Sequence, residues 1–600
     1  MNKDKLRDKY LNSAESFWLL KAGEEKLLLI FSVLRLITFI GGYIIAWLVF
    51  TRNIYLGILL FLGVTIIFLY LLKLYSSHSK KKDFLGNLVS INRNEAAAVT
   101  GDFSAFDGGS IYLNPSHDFS NDVDLFGDSS LFQYMNRTVT GYGRDLLAHW
   151  LSEPYLLSSQ LRQRQEAVKE LALKEKWRHE FMASGIGKSL DRNNIEGLLT
   201  WMKEQDFIKS SPVKKFLIYF LPAASILAGI LVTAEIIHYS LFILLILLNL
   251  LFVATGLKTI NTIHSVLSRK YNYLASMNEL LIVFGKGSFT SVLLNDIKNN
   301  ITGNKVSAAV SVKKLGSLIQ AFDARLNMLV IVILNGLLLW DYHSVLRLEK
   351  WKYKYRDLFS LWLEMTAEAD AFISLGNYAA NNSDFAYPSV SGKNTVLIAK
   401  NLGHQLIEED KRVCNDFSLE RKGIICIVSG ANMAGKSTFL RTIAVNYILG
   451  MAGAPVCASE MSFIPLKLFT SMRTTDSLLN NESYFYAELK RLKHLKIRIE
   501  SGEPVLFILD EILKGTNSED KSMGSKLFIR RLTELGATGL IATHDTTVGD
   551  MEHEYPGKII NKCFEIEIDG DKIKFDYILR EGITHKMNAA LLMKQMGILD

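Results

Sequence analysis

Residues 424–446 read IICIVSGANMAGKSTFLRTIAVN, and this stretch decides the fold of the C-terminal part of the chain. Its first residues are apolar and mostly β-branched, which predicts a buried strand, and a helix is predicted from about Ser437. Between them, residues 430–437 fit the pattern G-x-x-x-x-G-K-[ST]. A strand, a glycine loop and a helix in this order form the context that a phosphate-binding P-loop requires.

The residue types in this loop suit the phosphates of a nucleotide. Gly430 and Gly435 let the backbone turn its N–H groups onto phosphate oxygens, and the following helix N-terminus adds partial positive charge. Lys436 is predicted to reach the β- and γ-phosphates, and the Ser437 hydroxyl is predicted to bind Mg²⁺. The residues predicted to bind ATP are Gly430, Ala431, Asn432, Met433, Ala434, Gly435, Lys436, Ser437 and Thr438.

A second apolar strand, VLFILD at residues 505–510, is followed at once by a further acid. Adjacent carboxylates at the end of an apolar run are costly to bury unless a metal or polar site uses them. We predict that Asp510 holds Mg²⁺, directly or through water, and that Glu511 polarises the attacking water, as in a Walker B motif. His544 ends another short strand, residues 539–543, where it is predicted to contact the γ-phosphate, although a lone histidine is more often structural.

The apolar fraction of 49%, against 22% charged residues, exceeds that of a typical soluble protein, and two pairs of apolar segments account for the excess. The first pair is residues 27–50 and 54–72, and the second is residues 216–237 and 241–257. Each segment is long enough to cross a hydrocarbon layer of about 30 Å, and the short connectors make each pair a helical hairpin. We predict four transmembrane helices, with hairpins buried in a soluble protein as the alternative.

Basic residues flank the open ends of both hairpins, whereas the connectors contain only Arg52. The positive-inside rule therefore puts both termini and residues 73–215 in the cytosol. We expect an integral protein of a bacterial inner membrane. The flanking basic residues are Lys21, Lys26, Lys73, Lys80, Lys81, Lys82, Lys214, Lys215 and Lys258.

Three further features need an interpretation. Arg35 interrupts the first apolar segment, so either its side chain snorkels to the interface or the span starts later than residue 27. Residues 326–340 are apolar but short for a span, and we predict a core helix. Residues 350–356, KWKYKYR, interleave basic and aromatic residues, which suits nucleic acid, but a solvated helix face is the interpretation we favour.

Charge and cysteine content give limited information. The net charge of +7 is modest and does not by itself indicate nucleic acid. The four cysteines include no C-x-x-C pair, so neither a zinc site nor a disulfide framework is predicted. The first 26 residues are charged throughout and favour a solvated or interfacial helix over a cleavable signal peptide.

Taken together, these motifs resemble the MutS family of DNA mismatch-repair ATPases, a branch of the ABC-type ATPases. The loop GANMAGKST resembles the family's G-P-N-M-G-G-K-S-T, with Ala431 and Ala434 replacing a proline and a glycine. Residues 476–489 keep Ser483, Phe485 and Glu488 of a further motif, D-x-L-x-x-G-x-S-T-F-x-x-E-M. Other segments that carry the resemblance are MNRTVTGYGRDLLAHWLSEP (135–154), LGHQLIEE (402–409), CND (414–416), LDEILKGTNSED (509–520), ATHD (542–545) and the C-terminal YILREGITHKMNAALLMKQMGIL.

The resemblance implies a homodimer paired head to tail through its ATPase domains. In that arrangement Ser483 reaches across to the partner's γ-phosphate, and ATP and Mg²⁺ close the dimer and move helical levers that bind DNA. The chain also departs from the family. Residues 1–123 hold a membrane hairpin, so we expect the mismatch-reading domain to be absent, and a second hairpin interrupts the helical core domain.

The predicted fold is multidomain: an α-helical core and lever domain with two transmembrane hairpins, then an α/β P-loop domain with a mostly parallel, doubly wound sheet. Its predicted function is a membrane-anchored MutS-like ATPase that binds DNA. An ATP-switched membrane tether or scaffold for protein partners, without DNA, is the alternative, and an ABC-type transporter is a third possibility. The predicted domains are residues 1–26 (N-terminal helix), 27–72 (hairpin 1), 73–215 (linker and first part of the core), 216–257 (hairpin 2), 258–380 (lever and core) and 381–600 (ATPase).

Overall fold

The structure is a computed structural model in which a helical part precedes a part that contains two β-sheets, as the sequence predicts. It describes residues 3–154, 157–188, 190, 192–268, 270–303, 306–391, 395–473, 484–515, 517–569 and 572–584. Helices of the first part are α1 (Lys3–Ile37), α2 (Tyr43–Phe50), α3 (Ile54–Val99), α4 (Leu131–Met135), α5 (Gly141–Ser152), α6 (Ser158–Ala172), α7 (Glu175–Gly185), α8 (Asn193–Lys203), α9 (Pro212–Thr233), α10 (Tyr239–Leu267), α11 (Tyr271–Lys286), α12 (Val292–Thr302), α13 (Ala308–Phe322), α14 (Met328–Leu338) and α15 (Trp340–Asn381). Single turns of other helix types are the π-helical Thr38–Gly42 and the 3₁₀ Ser110–Tyr112 and Asp323–Leu326.

The first hairpin consists of α1 and α2, which run almost continuously, and the antiparallel α3. Its predicted connector at residues 51–53 is confirmed. The Asn53 side chain caps α3 by accepting hydrogen bonds from the Tyr55 and Leu56 N–H groups, both at 3.1 Å. Helix α3 then continues to Val99, far past the predicted end of the apolar segment at residue 72.

Arg35 lies at the open end of this hairpin. Its guanidinium group is 4.7 Å from the ring centroid of Tyr75 on α3. Tyr75 follows Ile54, the first residue of α3, by about 30 Å of helix. The charge is therefore level with the end of the apolar segment of α3, a position that suits both a side chain that snorkels to the interface and a span that starts later than residue 27.

The second hairpin is formed by α9 and α10. Helix α9 ends at Thr233, a few residues before the predicted end at residue 237, and Glu235 lies exposed in the connector with a φ of 57°. Within the part of the chain that the structure describes, four helical segments are, by length and composition, long and apolar enough to cross a membrane. These are Lys3–Phe50, Ile54–Val99, Pro212–Thr233 and Tyr239–Leu267.

The third apolar stretch, residues 326–340, contains helix α14. The sequence predicts a core helix here, but one face of α14 is exposed, so the prediction is wrong for that face. Leu326, Val332 and Ile333 are 74%, 50% and 61% exposed. Helix α14 packs against α10 and α9, so its outer face continues the apolar surface of the second hairpin. The helical segments Ala308–Leu326 and Val330–Leu338 meet at an angle of 111°. Taken together, they are also long and apolar enough to enter a membrane.

The long helix α15 organises the helical core. Its Asp370 carboxylate is buried and accepts hydrogen bonds from the Val139 N–H at 3.1 Å and from the Thr140 N–H and hydroxyl at 2.8 and 2.7 Å. Beside them, Arg137 forms a buried ion pair with Glu95 of α3. The segment that resembles the start of the MutS core domain thus joins α3 to α15.

Strands and helices alternate after residue 381. The strands are β1 (Ser389–Val390), β2 (Leu397–Leu402), β3 (Asn415–Leu419), β4 (Ile425–Gly430), β5 (Glu460–Phe463), β6 (Lys467–Ser471), β7 (Val505–Asp510), β8 (Thr538–Thr543), β9 (Ile559–Asp569) and β10 (Lys572–Glu581). The helices are α16 (Lys436–Ala452), α17 (Tyr484–Glu500), α18 (Ser518–Glu534) and α19 (Met551–Glu554), and Thr546–Val548 is a 3₁₀ turn. One sheet has the order β10-β9-β4-β8-β7-β6 and is parallel except for β10, and the other is a mixed sheet with the order β1-β5-β2-β3.

The six-stranded sheet carries helices on both faces. Cys426 and Val428 of β4 share a hydrophobic cluster with α16, whereas Ile425 and Ile427 share another with α17 and α18. Successive side chains of a strand point to opposite faces, so β4 is buried on both sides and is apolar throughout. The predicted doubly wound, mostly parallel sheet is confirmed, and the mixed sheet is an addition to it.

Residues 118–124, between α3 and α4, form an acidic segment that joins the helical part to this α/β part. Asp118 pairs with Arg498 of α17. The Asp122 carboxylate accepts a hydrogen bond from the Arg473 N–H at 2.8 Å, and Asp124 pairs with the Arg473 guanidinium. The acidic segment therefore holds the end of β6 and the helix that follows it in the sequence.

The run at residues 350–356 lies on α15 and is not a uniformly solvated face. The Lys352 side chain is only 4% exposed and forms an ion pair with Asp206 at 2.8 Å. Tyr353 is exposed, and the Lys209 ammonium group lies over its ring. Several cations of this region are thus already engaged with carboxylates or aromatic rings.

Candidate nucleotide-binding site

The predicted phosphate loop joins β4 to α16. Gly435 has a φ of 103°, a conformation that L side chains rarely adopt, and Met433 also has a positive φ, 67°. The Lys436 ammonium group is buried and donates hydrogen bonds to the Gly430 and Ala431 carbonyls at 2.7 and 2.9 Å. Burial lowers the pKa of Lys436, against the opposing effect of nearby carboxylates.

The remaining predicted side chains of this loop differ in exposure. Asn432, Met433, Ser437 and Thr438 are exposed, and all four line the same cavity. Ala431 and Ala434 are buried. The loop therefore presents its polar side chains and the N-terminus of α16 to the cavity, an arrangement suited to an anionic ligand.

The predicted acids lie at the same edge of the sheet. Strand β8 lies between β4 and β7, with Ser429 paired to Thr543 and Asp510 paired to Ala542. Because parallel strands end at one edge, Asp510 comes close to the loop that follows β4. Asp510 is 7% exposed, and its Oδ1 atom has no hydrogen-bond partner among the residues that the structure describes.

Glu511 and His544 lie together at this edge. The Glu511 N–H donates to the Ala542 carbonyl at 3.0 Å, and the backbone of Glu511 has a φ of 54°. Its Oε1 atom lies 3.2 Å from Nδ1 of His544, and Nε2 of His544 lies 3.5 Å from the Lys521 ammonium group. Burial tends to raise the pKa of Glu511, but the His544 hydrogen bond and nearby lysines outweigh it and lower the pKa.

These positions fit a magnesium ion. A buried carboxylate oxygen without a partner, as on Asp510, is costly unless a cation or a water satisfies it. The exposed Ser437 hydroxyl at the start of α16 supplies a second oxygen of the type that Mg²⁺ prefers. Asp510 and Ser437 are therefore the residues suited to hold it.

Glu488 had no role predicted from the sequence, although the motif around it was recognised. Glu488 is buried, and its two carboxylate oxygens accept hydrogen bonds from the Leu513 and Lys514 N–H groups at 2.6 and 3.1 Å. Burial raises the pKa of this carboxyl group. Glu488 thus fixes the turn directly after Asp510 and Glu511.

A Glu488→Gln variant tests this positioning role. The amide keeps one acceptor oxygen, so one buried N–H loses its partner at a cost of about 1–3 kcal/mol. We expect kcat for ATP hydrolysis to fall about tenfold while the Kd for ATP changes by less than about twofold. Glu500→Gln, at the surface end of the same helix, is the matched control. Equal kcat values for Glu488→Gln and the wild type would exclude the role.

The cavity beside the phosphate loop has an apolar extension that the sequence did not predict. The cavity has a volume of about 490 Å³ and continues from the loop past His404, Phe439 and Tyr577. Asn415 shapes one wall, because its side chain donates to the Tyr577 carbonyl at 3.0 Å and accepts from the Leu579 N–H at 2.7 Å. Burial lowers the pKa of His404 to about 4. The signal for this wall was the segment at residues 402–416, which resembled the family but had no assigned function.

Ser483 lies outside the described residues, so its predicted role at a partner's γ-phosphate stays a prediction. Phe485 of the same motif packs close to Gly515. A Cβ atom on Gly515 would lie only 2.9 Å from the Phe485 Cβ. The structure therefore brings together ten of the predicted positions at one cavity edge. These are Gly430, Asn432, Met433, Gly435, Lys436, Ser437, Thr438, Asp510, Glu511 and His544.

Two regions of the chain match known protein families. Residues 114–376 match the family described as MutS domain III, and residues 426–596 match MutS domain V. The structure has the corresponding arrangement, because a helical part is followed by an α/β part that contains the phosphate loop. The chain belongs to the MutS family.

Individual relatives match mainly over part of their length. A DNA mismatch repair protein MutS from Lachnoclostridium phytofermentans is 31% identical over 240 residues, which are 39% of this chain and 25% of the relative. One from Aquifex pyrophilus is 32% identical over 31% of this chain and 22% of the relative. The human MutS protein homolog 4 is 28% identical over 37% of this chain and 24% of the relative. The chain spans about a quarter of the length of these curated relatives.

Proposed function

We propose that the chain is a membrane-anchored MutS-type ATPase that binds DNA under the control of ATP. The observation that carries the ATPase is the meeting of the phosphate loop, Asp510, Glu511 and His544 at one edge of the sheet. General ATPase activity also follows from membership of the family. DNA is supported by the relatives, two of which are named as DNA mismatch repair proteins.

In the proposed reaction, Lys436 exchanges its bonds to the loop carbonyls for the β- and γ-phosphate oxygens. Asp510 and Ser437 would hold Mg²⁺, which would supply neutralisation of the phosphate charge when bound. Glu511 polarises the attacking water and His544 orients the Glu511 carboxylate. The lowered pKa of Glu511 keeps it ionised at neutral pH, as a base must be.

The proposed active form is a homodimer in which each subunit completes the site of the other. Support comes from the outer rim of the site, where Met433 is 70% exposed and the His544 side chain is 45% exposed. Ser483 is the proposed contact to the partner's γ-phosphate. Closure of the dimer would move α15, which runs without a break from the second hairpin to the α/β part.

The proposed anchor consists of the two hairpins in a bacterial inner membrane, with the α/β part in the cytosol. Its support is the nearly continuous exposure of large apolar side chains on α2, α3, α9 and α10, together with their length. Soluble proteins rarely expose apolar surfaces of that extent. The basic residues at the open ends set the orientation.

A tether or scaffold without DNA is the second candidate, and one observation favours it. The basic and aromatic run at residues 350–356 was the local support for nucleic acid. Lys352 is buried against Asp206, and Lys350 donates to the Tyr219 hydroxyl of the second hairpin at 3.3 Å. Lys352 therefore serves the packing of α15 and is poorly placed to bind a DNA backbone, whereas Lys350 is exposed.

Retention of DNA by the purified full-length protein in nanodiscs separates the two candidates. We expect linear, branched or mismatched DNA to be retained with ATP, with affinity falling steeply between about 50 and 200 mM salt. The Lys436→Ala variant should lose the dependence on ATP. If every DNA fails to bind at the lowest salt while ATP is still hydrolysed, the DNA proposal is wrong and the tether remains.

A further inference from the structure

Helix α14 combines an apolar outer face with a close attachment to the second hairpin. Val332 and Ile333 are half or more exposed, and Val330 is 40% exposed. The opposite side is fixed: the Asn249 side chain of α10 donates a hydrogen bond to the Gly336 carbonyl at 2.6 Å. A Cβ atom on Gly336 would lie only 3.0 Å from Ile246, so glycine permits this close approach.

The attachment defines how deep α14 lies along the hairpin. Asn249 lies about 15 Å along α10 from Tyr239, its first residue, and about 12 Å before residue 257, where the apolar segment ends. Gly336 is therefore level with the middle of the apolar segment. If the hairpin crosses a membrane, the C-terminal end of α14 lies within the hydrocarbon layer.

The residues before and after α14 lie beside the same part of α10. Before α14, Asp323 accepts from Nε2 of His264 on α10 at 2.9 Å, and Arg325 donates to Asn261 at 2.7 Å. After α14, Asp341 pairs with the same Arg325 at 3.3 Å. These contacts lie past residue 257 of α10, at the end of the hairpin assigned to the cytosol, so the chain segments before and after α14 lie on the same side.

Polar groups at both ends of this unit make hydrogen bonds, as a lipid environment favours, whereas the Oδ1 atoms of Asn249 and Asp341 have no partner among the residues that the structure describes. Asn327 caps the N-terminus of α14 by accepting from the Val330 N–H at 3.2 Å. At the other end, Asn335 accepts from the Asp341 N–H at 2.9 Å, and Leu339 reverses the chain with a φ of 46°. Asn249 also donates to the Ser225 hydroxyl of α9 at 2.9 Å, which ties both spans and α14 together.

We propose that α14 is a re-entrant helix, covered on its outer face by the acyl chains of the membrane that holds the second hairpin. The inference rests on the proposed membrane anchor. Lipid is the occupant that fits, because the exposed apolar face is level with the middle of an apolar segment long enough to cross the hydrocarbon layer. The nearby charged residues, Asp323, Arg325 and Asp341, flank α14 at the cytosolic end of the hairpin. In this arrangement α14 precedes α15 directly, so the lever helix starts from a membrane-embedded element.

Depth-dependent fluorescence quenching tests the proposal in the full-length protein. In a Cys414→Ser background, because Cys414 is the exposed cysteine, a single cysteine replaces Ile333, and Val332 serves as a second position. Each is labelled with an environment-sensitive fluorophore in nanodiscs that contain lipids spin-labelled in the acyl chain. Leu59→Cys in the first hairpin and Leu173→Cys, 89% exposed between α6 and α7, are the matched controls.

We expect quenching at positions 332 and 333 to be within about twofold of that at position 59, and none at position 173. Quenching at 59 without quenching at 332 or 333 would overturn the re-entrant helix and leave the anchor intact. A blue-shifted but unquenched label at 333 would point to a protein cover, including a second copy, and would also overturn it. No quenching at 59 would show that the membrane anchor itself is wrong.

Discussion

The Glu511→Gln variant is expected to bind ATP with nearly unchanged affinity and to hydrolyse it about 10²- to 10⁴-fold more slowly than the wild type. Glutamine keeps the size of the side chain but cannot accept a proton from the attacking water. The Glu511 backbone bond to Ala542 is unaffected, so the edge of the sheet keeps its shape. Loss of the base without loss of the binding site separates chemistry from affinity.

Single-turnover hydrolysis and equilibrium ATP binding, measured on the same preparation, check this result. Glu534→Gln, an exposed residue at the far end of α18, is the matched control and should behave as the wild type. If the dimer forms as proposed, ATP should also trap Glu511→Gln as a stable dimer. Wild-type turnover in Glu511→Gln would remove Glu511 from the role of base.

The Lys436→Ala variant is expected to lose about 10- to 100-fold in affinity for ATP, since one charge-assisted bond to phosphate is worth about 1.5–3 kcal/mol. The structure adds a second effect. The Lys436 ammonium group also binds the carbonyls of Gly430 and Ala431, so its removal takes this donor away from both carbonyls.

Lys436→Met removes the same charge and hydrogen bonds as Lys436→Ala but fills most of the side-chain space, so a difference in affinity between the two variants measures the contribution of packing. Calorimetric titration with ATP and with ADP measures the loss for both variants. Lys422→Ala, an exposed residue at the opposite end of β4, is the control and should bind as the wild type. Unchanged affinity in both Lys436 variants would show that the phosphates bind elsewhere.

Local patterns made the phosphate loop predictable. Strand β4, the loop and α16 are contiguous, and each element has its own signal in residue type. Asp510 and Glu511 were found because two adjacent acids at the end of a buried strand are costly without a cation or a polar site beside them. That β8 lies between β4 and β7 is a property of strand order, which no local pattern contains.

The mixed sheet and the acidic segment were beyond local patterns. Strand β1 has two residues and pairs with β5, some 70 residues further on, so neither strand has a readable period of its own. Asp122 and Arg473 are even further apart in sequence. Such pairs depend on the tertiary fold and leave no spacing in the sequence.

Helix α14 shows where a length rule fails. A short apolar stretch is usually a core helix, because it cannot cross a bilayer by itself. The rule does not consider a stretch that packs beside an existing hairpin, where it needs to reach only the middle of the layer. The Asn249 contact to Gly336, which sets that depth, joins residues far apart in the sequence.

Helix α3 runs for 46 residues, about 70 Å, from the turn of the first hairpin to the acidic segment that contacts the α/β part. In the proposed setting, this rod keeps the ATP site at a fixed height above the lipid surface. Two subunits would then meet by lateral diffusion in a plane, already facing the same way, which raises their effective concentration. Dimer formation would follow the number of copies per area of membrane, and crowding into a small patch would be enough to start it.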